Sequence, residues 1–407
     1  MISIAVTGIG LATPIGIGHE TVWPGLLAGR SGFRPVASFD TSRHSAHLGA
    51  EVLDFDPAAW VRRLGVDSMG RASHLAVAAA RLALADAGIE PEELSSTERE
   101  RTGVAMGTTS GEPLEIEHLD DLMLADRLAE LGGELAGRYP CHLIAAHVAA
   151  ELRFAGPNQM IPTACAAGNY AIAHAVDTLR AGRADRMIAG GADSFSRITY
   201  TGFAKLGAIA PEVVRPFAKN RQGMIPGEGA GVIVLEPTER ALARGARIYA
   251  EVAGYGLSCD AHHMTAAHPE GDGPARAMER ALRSSGLAAA EVSYVSAHGT
   301  GTPTNDKLET LAVHRVFGRQ GRVPISSIKS MIGHTMGAAS AIEAAVCALA
   351  IHEGWIPPTM NYDEPDPECD LDCVPNQARQ MPVDVAMNNA YAFGGNNASV
   401  IFRRLRV

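Results

Sequence analysis

The sequence predicts an α/β fold, and three observations support that class. Short apolar, β-branched runs alternate with helical stretches through both halves of the chain. Reactive-looking motifs stand where a strand gives way to a loop or a helix, which is where α/β sheets usually place ligands. Glycine is abundant (43 residues) and aromatic residues are scarce (5%), a composition that favours close packing over a sandwich of aromatic-rich strands.

The first half contains short apolar runs that predict buried strands separated by helices. Residues 2–7 (ISIAVT) end at Gly8 and predict a strand. Residues 73–88 carry apolar side chains at helical spacing between a Ser and a Gly, which predicts a helix. The other predicted elements are helices at 20–28 and 141–155, a strand entering a loop at 101–111, a strand, sharp turn and helix at 159–182, and strands at 186–194 and 229–237.

The second half repeats this alternation from Arg247 onward. Its predicted elements are a strand at 247–258, helices at 271–287 and 306–317, a strand and loop at 292–306, a strand, loop and long Ala-rich helix at 323–354, and two strands around a glycine turn at 385–404. We therefore predict one domain at residues 1–246 and a second at 247–407. No obvious linker separates them, so we expect the two to pack as one body.

Charge and composition exclude several classes of function. A formal net charge of -10 argues against a general nucleic-acid binder, which needs a positive field to displace counterions. The N-terminal segment has no basic lead region, and no run of 18 or more apolar residues occurs, so we expect neither a signal peptide nor a membrane span. Six scattered cysteines favour reduced thiols in the cytoplasm. Cys369 and Cys373 lack a second ligand pair nearby, so we expect no metal site.

Cys165 lies in a predicted strand-to-helix turn, between the small residues of TACAAG (163–168). Small neighbours allow the sharp turn that exposes a nucleophile. A thiol at a helix N-terminus also faces free N–H groups and the positive end of the helix dipole, which favour the thiolate. A drop of about 1.5 in the pKa of Cys165 would make the thiolate its major form. A cysteine packed as a small buried hydrophobe is the alternative, and the turn alone does not decide between them.

Two histidines follow apolar strands in matching contexts. His298 lies in SAHGTGTPTND, and His334 lies in KSMIGHTMG; glycine adjoins both, and glycine permits close approach of a ligand to the backbone. A single core histidine is usually structural, but two in matched loops together with Cys165 favour a catalytic group.

Four polar residues near the histidines are further candidates for the site. Lys329 and Glu343 would form an interior ion pair, or an exposed pair of little energetic value. The hydroxyls of Thr300 and Thr302 are suited to hydrogen-bonding an amide-rich tether such as phosphopantetheine, although turn formation is an alternative role for them.

These motifs together resemble the β-ketoacyl-acyl-carrier-protein synthases of the thiolase superfamily. The resemblance rests on TACAAG, AHGTGTPTND, KSMIGHTMGAA and AFGGNNAS in that order, and it runs from VTGIGLATPIG at the N-terminus to NNASVIFRR at the C-terminus. It is closest to the synthase II type of fatty acid synthesis and to type II polyketide ketosynthases. The resemblance implies a thiolase fold: two similar halves that form a five-layer αβαβα sandwich and a dimer.

The resemblance also implies a role for each candidate residue. Cys165 would take an acyl chain from an acyl carrier protein, and the backbone N–H groups of Cys165 and Phe393 would form the oxyanion hole. His298 and His334 would assist decarboxylation of a malonyl unit and stabilise its enolate. Lys329 would hold the histidine loop and bias its charge through Glu343, and Phe393 would also gate the site. The implied substrates arrive on the phosphopantetheine of the carrier, with no metal or redox cofactor.

Several positions depart from the family pattern. Ala218 and Gln222 replace two acids, and Asn396 replaces a hydroxyl of the gating loop. Ser110 takes the place of a bulky residue that often limits the acyl tunnel, so we expect a longer tunnel and expect Ser110→Phe to shorten the product. These departures favour a specialised polyketide ketosynthase over a housekeeping fatty-acid enzyme.

Other readings and partners follow from the same resemblance. One alternative is a chain-length-factor-like partner subunit, but such subunits usually lack the nucleophilic cysteine that is present here. Two others are a thiolase, which has a second reactive cysteine near the C-terminus, and a synthase III relative, which uses Cys-His-Asn. A non-decarboxylating acyltransferase is a further alternative. We expect a homodimer or a heterodimer with a chain-length-factor-like subunit. The candidate contacts for an acidic carrier protein are Arg62, Arg63, Arg71, Lys205 and Arg215.

Overall fold

The computed structural model describes residues 2–319 and 323–405, and its core is one mixed β-sheet assembly made of two five-stranded parts. The first part has the strand order Asn158–Ile161, Thr102–Gly107, Arg186–Asp193, Gly229–Pro237, Ile4–Thr13. The first three of these strands are parallel, and the last two are each antiparallel to their neighbours.

The second part has the same topology. Its strand order is Ile325–Ser326, Tyr294–Ser296, Val385–Tyr391, Asn396–Arg403, Ala250–Cys259. Numbered along the chain within each part, both orders read third, second, fourth, fifth, first. The parallel and antiparallel pairs also fall at the same places. The prediction of an α/β fold with two similar halves is therefore confirmed.

The two parts meet through their first strands. Ala5 and Val6 pair antiparallel with Glu251 and Ala250. The chain crosses from one part to the other between Pro237 and Ala250, through the short helix Thr238–Ala243. The domain boundary at residues 246 and 247 falls in this crossing and stays a prediction.

Helices form three layers around the two parts of the sheet. Arg71–Asp86 and Leu143–Leu152 cover the outer face of the first part, and Asp272–Ser285 covers the outer face of the second. Ala167–Arg180 and Ala339–Glu353 lie between the two parts and pack on each other. The remaining α-helices are His19–Leu27, Ser96–Glu100, Pro113–Leu124, Glu134–Arg138, Arg197–Lys205, Pro303–Phe317 and Lys329–Ile332. Short strand pairs join Thr13 to Gly16, Arg34–Pro35 to Leu48–Gly49, and Trp355–Ile356 to Arg379–Gln380.

Small residues explain why the middle layer can be so close. A Cβ at Gly168 would lie 2.6 Å from the backbone nitrogen of Ala341, so only glycine fits where the two central helices touch. The first strand is longer than predicted, because it continues past Gly8 to Thr13. Gly8 and Gly10 have no side chain and can therefore lie against the carbonyls of Ala83 and Ala79 on the covering helix.

One helical stretch has the length and apolar composition of a membrane span. It is Met336–Glu353, and 89% of it is buried inside the protein. Burial in the middle layer explains its composition, because a helix surrounded by other elements is apolar on all sides.

Candidate active site

Cys165 stands at the end of the sheet where the parallel strands of the first half finish. The edge strand Asn158–Ile161 leads into a single 3-10 turn, Ala164–Ala166, which runs directly into the helix Ala167–Arg180. Ala164 has a φ of 50°, a left-handed conformation that is uncommon for a residue with a Cβ. A strained turn beside a candidate nucleophile is a pattern typical of functional sites. The turn predicted from the sequence is therefore present.

Both predicted histidines lie beside Cys165. His334 Nε2 is 3.1 Å from Cys165 Sγ, and the rings of His298 and His334 meet edge to face with centroids 5.6 Å apart. One ligand atom from each of the three residues lies within 4.8 Å of the others, and all three residues are buried. Both histidines lie 133 positions or more after Cys165 in the sequence, so it is the fold that brings them together.

The backbone fixes the tautomer of His334. The N–H of Met336 donates to His334 Nδ1 at 3.2 Å, so that nitrogen carries a lone pair. A neutral imidazole then has its proton on Nε2, which donates to the sulfur of Cys165. His334 is therefore arranged as a hydrogen-bond donor toward the nucleophile, not as the base that removes the thiol proton.

Glu309 holds the loop that carries His298. Its carboxylate accepts the backbone N–H groups of His298 and Gly299, each at 2.8 Å. Burial raises the pKa of Glu309 to about 7, and the two N–H donors oppose that rise. The sequence did not lead us to predict a role for Glu309. Its position could have indicated one, because it is an acid on the helix that directly follows the histidine loop. Among the residues described, His298 Nδ1 is buried and has no hydrogen-bond partner.

Burial controls the protonation of the catalytic group. It lowers the pKa of His298 and of His334 well below 6.5, and the charge of Lys329 lowers both further. Both imidazoles are therefore neutral at physiological pH. Burial raises the pKa of Cys165 to about 12, with Lys329 acting in the opposite direction. The helix N-terminus favours the thiolate, but loss of water around the sulfur acts more strongly in the opposite direction.

Lys329 and Glu343 form a fully buried ion pair. Lys329 Nζ contacts Glu343 Oε1, and each side chain is only 1% exposed. Of the two arrangements considered for this pair, the interior one is correct. Burial raises the pKa of Glu343 to about 7, while Lys329 holds it down. Because the ammonium group also lowers the pKa of both histidines, it lies close enough to control their charge.

A cavity of about 320 Å³ opens over the catalytic group. Cys165, His298 and His334 lie on its wall, as do Thr300 and Thr302, whose hydroxyls are 2.9 Å apart. Phe393 also lines this cavity and is 41% exposed. Its ring lies 5.8 Å from that of Phe203, on the helix Arg197–Lys205. Two aromatic rings therefore flank the opening, and the predicted gating position of Phe393 agrees with this geometry.

Other predicted positions lie away from this cavity. Ser110 is not among its lining residues in the described chain; its hydroxyl is 3.4 Å from that of Thr199. Arg71 forms an ion pair with the buried Glu228, which gives it a structural role, and its docking role stays a prediction. Arg62 and Arg63 line a separate surface cleft with Glu92.

Two basic candidates remain near the cavity. Lys205 is exposed two residues beyond Phe203, which lines the cavity. Arg215 precedes Pro216 in a segment that packs on Gly301, between the two threonines. Its guanidinium forms a surface pair with Glu212 at 3.1 Å. The structure therefore places these two residues, but not the other three, next to the site.

Asp193 joins the two halves of the site, a role that was not predicted from the sequence. Its carboxylate accepts the N–H groups of Thr109, Ser110 and Gly337, and the hydroxyl of Thr108. Burial raises its pKa to about 6. Because Gly337 follows His334 by three residues, this carboxylate fixes the histidine loop to the strand end that bears Ser110.

The positions that depart from the family pattern fall in two settings. Ala218 is buried, and Gln222 is exposed. Asn396 begins the strand Asn396–Arg403, directly after the turn Phe393–Gly395, and its neighbour Asn397 donates to Asp260 Oδ1 at 2.7 Å. That bond fastens the gating loop to the segment that follows the strand Ala250–Cys259.

In the described residues, one group has three metal-binding side chains in reach of one another, and it is the catalytic group itself. Cysteine and histidine are ligands that zinc accepts. Cys369 and Cys373 do not belong to such a group in the described chain.

Comparison with known proteins agrees with this site. Residues 1–241 match the family model for the N-terminal domain of β-ketoacyl synthases, and residues 249–363 match the model for the C-terminal domain. The chain is 40% identical to the 3-oxoacyl-[acyl-carrier-protein] synthase 2 of Synechocystis over 98% of both chains, and 41% identical to nodulation protein E of Rhizobium sp. (strain N33) over 99% of both.

Solved structures give the same result. "The ishigamide ketosynthase/chain length factor" matches with a TM-score of 0.96 and 45% identity, over the whole of both chains. A type II polyketide ketosynthase bound to its acyl-carrier protein (AntDE:AntF) matches with a TM-score of 0.90 and 31% identity, again over the whole of both.

A duplicated α/β fold with a buried Cys-His-His group defines a condensing acyltransferase of the thiolase type. The chain belongs to the β-ketoacyl synthase family. It is therefore a condensing enzyme, which extends an acyl chain by forming a carbon–carbon bond. The predicted family, fold class and enzyme class are confirmed.

Proposed function

We propose that this enzyme joins a malonyl-derived two-carbon unit to an acyl chain held on Cys165, with both substrates delivered by an acyl carrier protein. The observation that carries the proposal is the placing of Cys165, His298 and His334 within 4.8 Å of one another on one cavity wall. That spacing lets one thioester contact the nucleophile and both imidazoles.

The first step is transfer of the acyl chain. The sulfur of Cys165 attacks the thioester carbonyl, the carrier thiol leaves, and the proton lost by Cys165 passes to that thiol. His334 Nε2–H donates to the sulfur as negative charge develops on it, which lowers the cost of forming the thiolate in a buried site. The backbone N–H groups of Cys165 and Phe393 hold the carbonyl oxygen; losing one such donor typically costs about 3–4 kcal/mol.

The second step is decarboxylative condensation. Malonyl thioester enters, its carbon–carboxylate bond breaks, and carbon dioxide leaves while the bonding electrons form an enolate. His298 and His334 stabilise the enolate oxygen. The enolate carbon then attacks the Cys165 thioester, the sulfur leaves, and a β-ketoacyl thioester forms. Loss of carbon dioxide drives the reaction, so we propose that no metal or redox cofactor is needed.

The polar residues at the cavity support these steps. Thr300 and Thr302 present hydroxyls to the phosphopantetheine arm of the carrier. Lys329 and Glu343 form a buried ion pair near the histidines, and Phe393 closes the opening beside Cys165.

The direct test is mass spectrometry of the intact enzyme after incubation with acyl-carrier protein, followed by measurement of carbon dioxide release from malonyl-carrier protein. An acyl adduct on Cys165 without carbon dioxide release would point instead to a non-decarboxylating acyltransferase.

Replacing either histidine with alanine should slow the release of carbon dioxide from malonyl-carrier protein by about 100- to 1,000-fold, because each removes one donor to the enolate oxygen. Mass spectrometry should still detect acylation of Cys165 in His298→Ala, since His334 is the residue that contacts the sulfur. Glutamine at either position restores a donor and should recover part of the rate. Wild-type decarboxylation in both alanine variants would contradict the role assigned to this pair.

We propose an acyl carrier protein as the partner that docks at the cavity opening, and the similar structure AntDE:AntF, an acyl-carrier protein in complex with its ketosynthase, supports this kind of partner. Carrier proteins are acidic, so Lys205→Glu and Arg215→Glu should raise the KM for acyl-carrier protein, and more strongly at low salt. Arg283→Glu is the matched control, because Arg283 is exposed on the helix Asp272–Ser285, on the outer face of the second half. A KM that does not change with either variant or with salt would remove both residues from the docking surface.

We propose polyketide assembly, not housekeeping fatty acid synthesis, as the pathway. The 45% identity to the ishigamide ketosynthase/chain length factor and the altered Ala218, Gln222 and Asn396 positions support it. Ser110→Phe should shift the products toward shorter chains if Ser110 borders the acyl tunnel, and liquid chromatography with mass spectrometry would show the shift. Ser110→Ala is the control. An unchanged length distribution in Ser110→Phe would rule out this tunnel assignment.

The free edge of the first half supports a dimer. Strand Asn158–Ile161 ends the sheet, and its first two residues are exposed. An unpaired edge can bind a strand of another subunit. We propose that this edge binds either a second copy or a chain-length-factor-like subunit; native mass spectrometry of the purified chain alone would distinguish a homodimer from a chain that needs a different partner.

A further inference from the structure

A second cleft lies at the end of the sheet opposite the active site. Its volume is about 320 Å³, and four arginines line it: Arg101, Arg186, Arg240 and Arg244. We call it the arginine cleft. The strand Arg186–Asp193 begins in this cleft and ends at the carboxylate that fixes the histidine loop. At roughly 3.3 Å per residue, the cleft lies about 23 Å from that carboxylate.

The carboxylates of the arginine cleft do not balance its positive charge. Glu98, Asp185 and Glu236 also line it, so four guanidinium groups face three carboxylates. Asp185 is shared between Arg101 at 2.8 Å and Arg240 at 3.0 Å. Four positive and three negative groups leave an excess of one positive charge, in a chain whose formal net charge is -10.

Arg186 is the arginine that lacks a partner. Its Nε is buried and has no hydrogen-bond acceptor among the described residues. In contrast, Arg244 makes three hydrogen bonds to the carboxylate of Glu236, the shortest at 2.6 Å. A buried guanidinium nitrogen without an acceptor is costly, because it has lost water without gaining a bond. The terminal nitrogens of Arg186 also have no hydrogen-bond partner among the described residues, and an anion bound in the cleft would supply acceptors for them.

We infer that the arginine cleft binds a small anion that carries phosphate or carboxylate groups. The guanidinium fork matches the geometry of either group and binds it through two parallel hydrogen bonds. The cleft is large enough for a small molecule, and it lies between the sheet end and the helix Thr238–Ala243. No residue of the catalytic cavity lines it, so the bound anion is not the acyl substrate.

The test is isothermal titration calorimetry of the full chain with pyrophosphate and, separately, with citrate. The wild type should bind at least one of them saturably with one site per chain, and binding should weaken as salt rises. Arg186→Gln should weaken binding at least tenfold. Arg283→Gln, which removes the same charge from an exposed position outside the cleft, should bind as the wild type does. Tighter binding of pyrophosphate would identify phosphate as the group recognised, and tighter binding of citrate would identify carboxylate.

A second variant protects the test against misfolding, because Arg186 begins a core strand. Arg240→Gln changes an arginine whose side chain is 59% exposed on a short surface helix, and it should also weaken binding. Saturable binding should raise the wild-type Tm by about 2 °C, and this rise should be lost in Arg240→Gln. The inference is overturned if neither anion binds saturably to the wild type, or if both cleft variants keep the wild-type affinity.

Discussion

Cys165→Ala should abolish β-ketoacyl formation, with a loss of about 10⁴-fold or more in rate. The variant has no atom that can form a thioester, and no other cysteine lies in the cavity among the described residues. The fold should persist, because Cys165 is a small side chain in a turn between two alanines. Mass spectrometry should show no acyl adduct after incubation with acyl-carrier protein.

The same variant separates the two halves of the reaction. His298 and His334 remain in place, so carbon dioxide release from malonyl-carrier protein should stay within about tenfold of the wild-type rate. Cys165→Ser is the matched control, since it replaces the thiol with a hydroxyl that still lies near His334 Nε2. Loss of decarboxylation in Cys165→Ala would mean that the sulfur takes part in that step. A persistent adduct in that variant would contradict the assignment of the nucleophile.

The sequence was enough to identify the three central residues, and the reason is physical. Cys165, His298 and His334 each follow a strand of the sheet, and glycine lies close to each in sequence. Parallel strands end at one edge of a sheet, so residues at these positions converge. The duplicated topology strengthens this convergence, because both halves bring the same strand ends to the middle layer.

The supporting contacts could not be read from the sequence, since they depend on packing between distant segments. Asp193 belongs to the first half, yet it accepts the N–H of Gly337 in the second. The tautomer of His334 follows from one backbone N–H at Met336. The rise in the pKa of Cys165 could not be predicted, because a helix N-terminus can be read from a sequence whereas the degree of burial cannot.

The buried ion pair gives the second large effect. Lys329→Met should lower the free energy of unfolding by about 3–5 kcal/mol, because it leaves the carboxyl group of Glu343 buried without its partner. Lys329→Met combined with Glu343→Gln should recover much of this loss, since it removes both charges. Lys219→Met is the control: its pair with Glu364 is exposed and contributes little. Urea denaturation of the four proteins measures these differences.

A stability change alone would not show that Lys329 controls the histidines, but a pH profile would. Its charge lowers the pKa of His298 and His334, so its removal raises both values toward 6.5. Decarboxylation needs neutral imidazoles. A neutral imidazole can donate a hydrogen bond to the oxyanion, whereas a charged imidazolium would form an ion pair with the malonyl carboxylate and oppose its loss. The wild-type rate should therefore hold from pH 8 down to about pH 6. Burial still lowers both pKa values in Lys329→Met, so the variant should lose activity at a higher pH than the wild type on the acid side of the profile. If the profile of the variant has the wild-type shape, Lys329 contributes only packing and stability, and its positioning role fails.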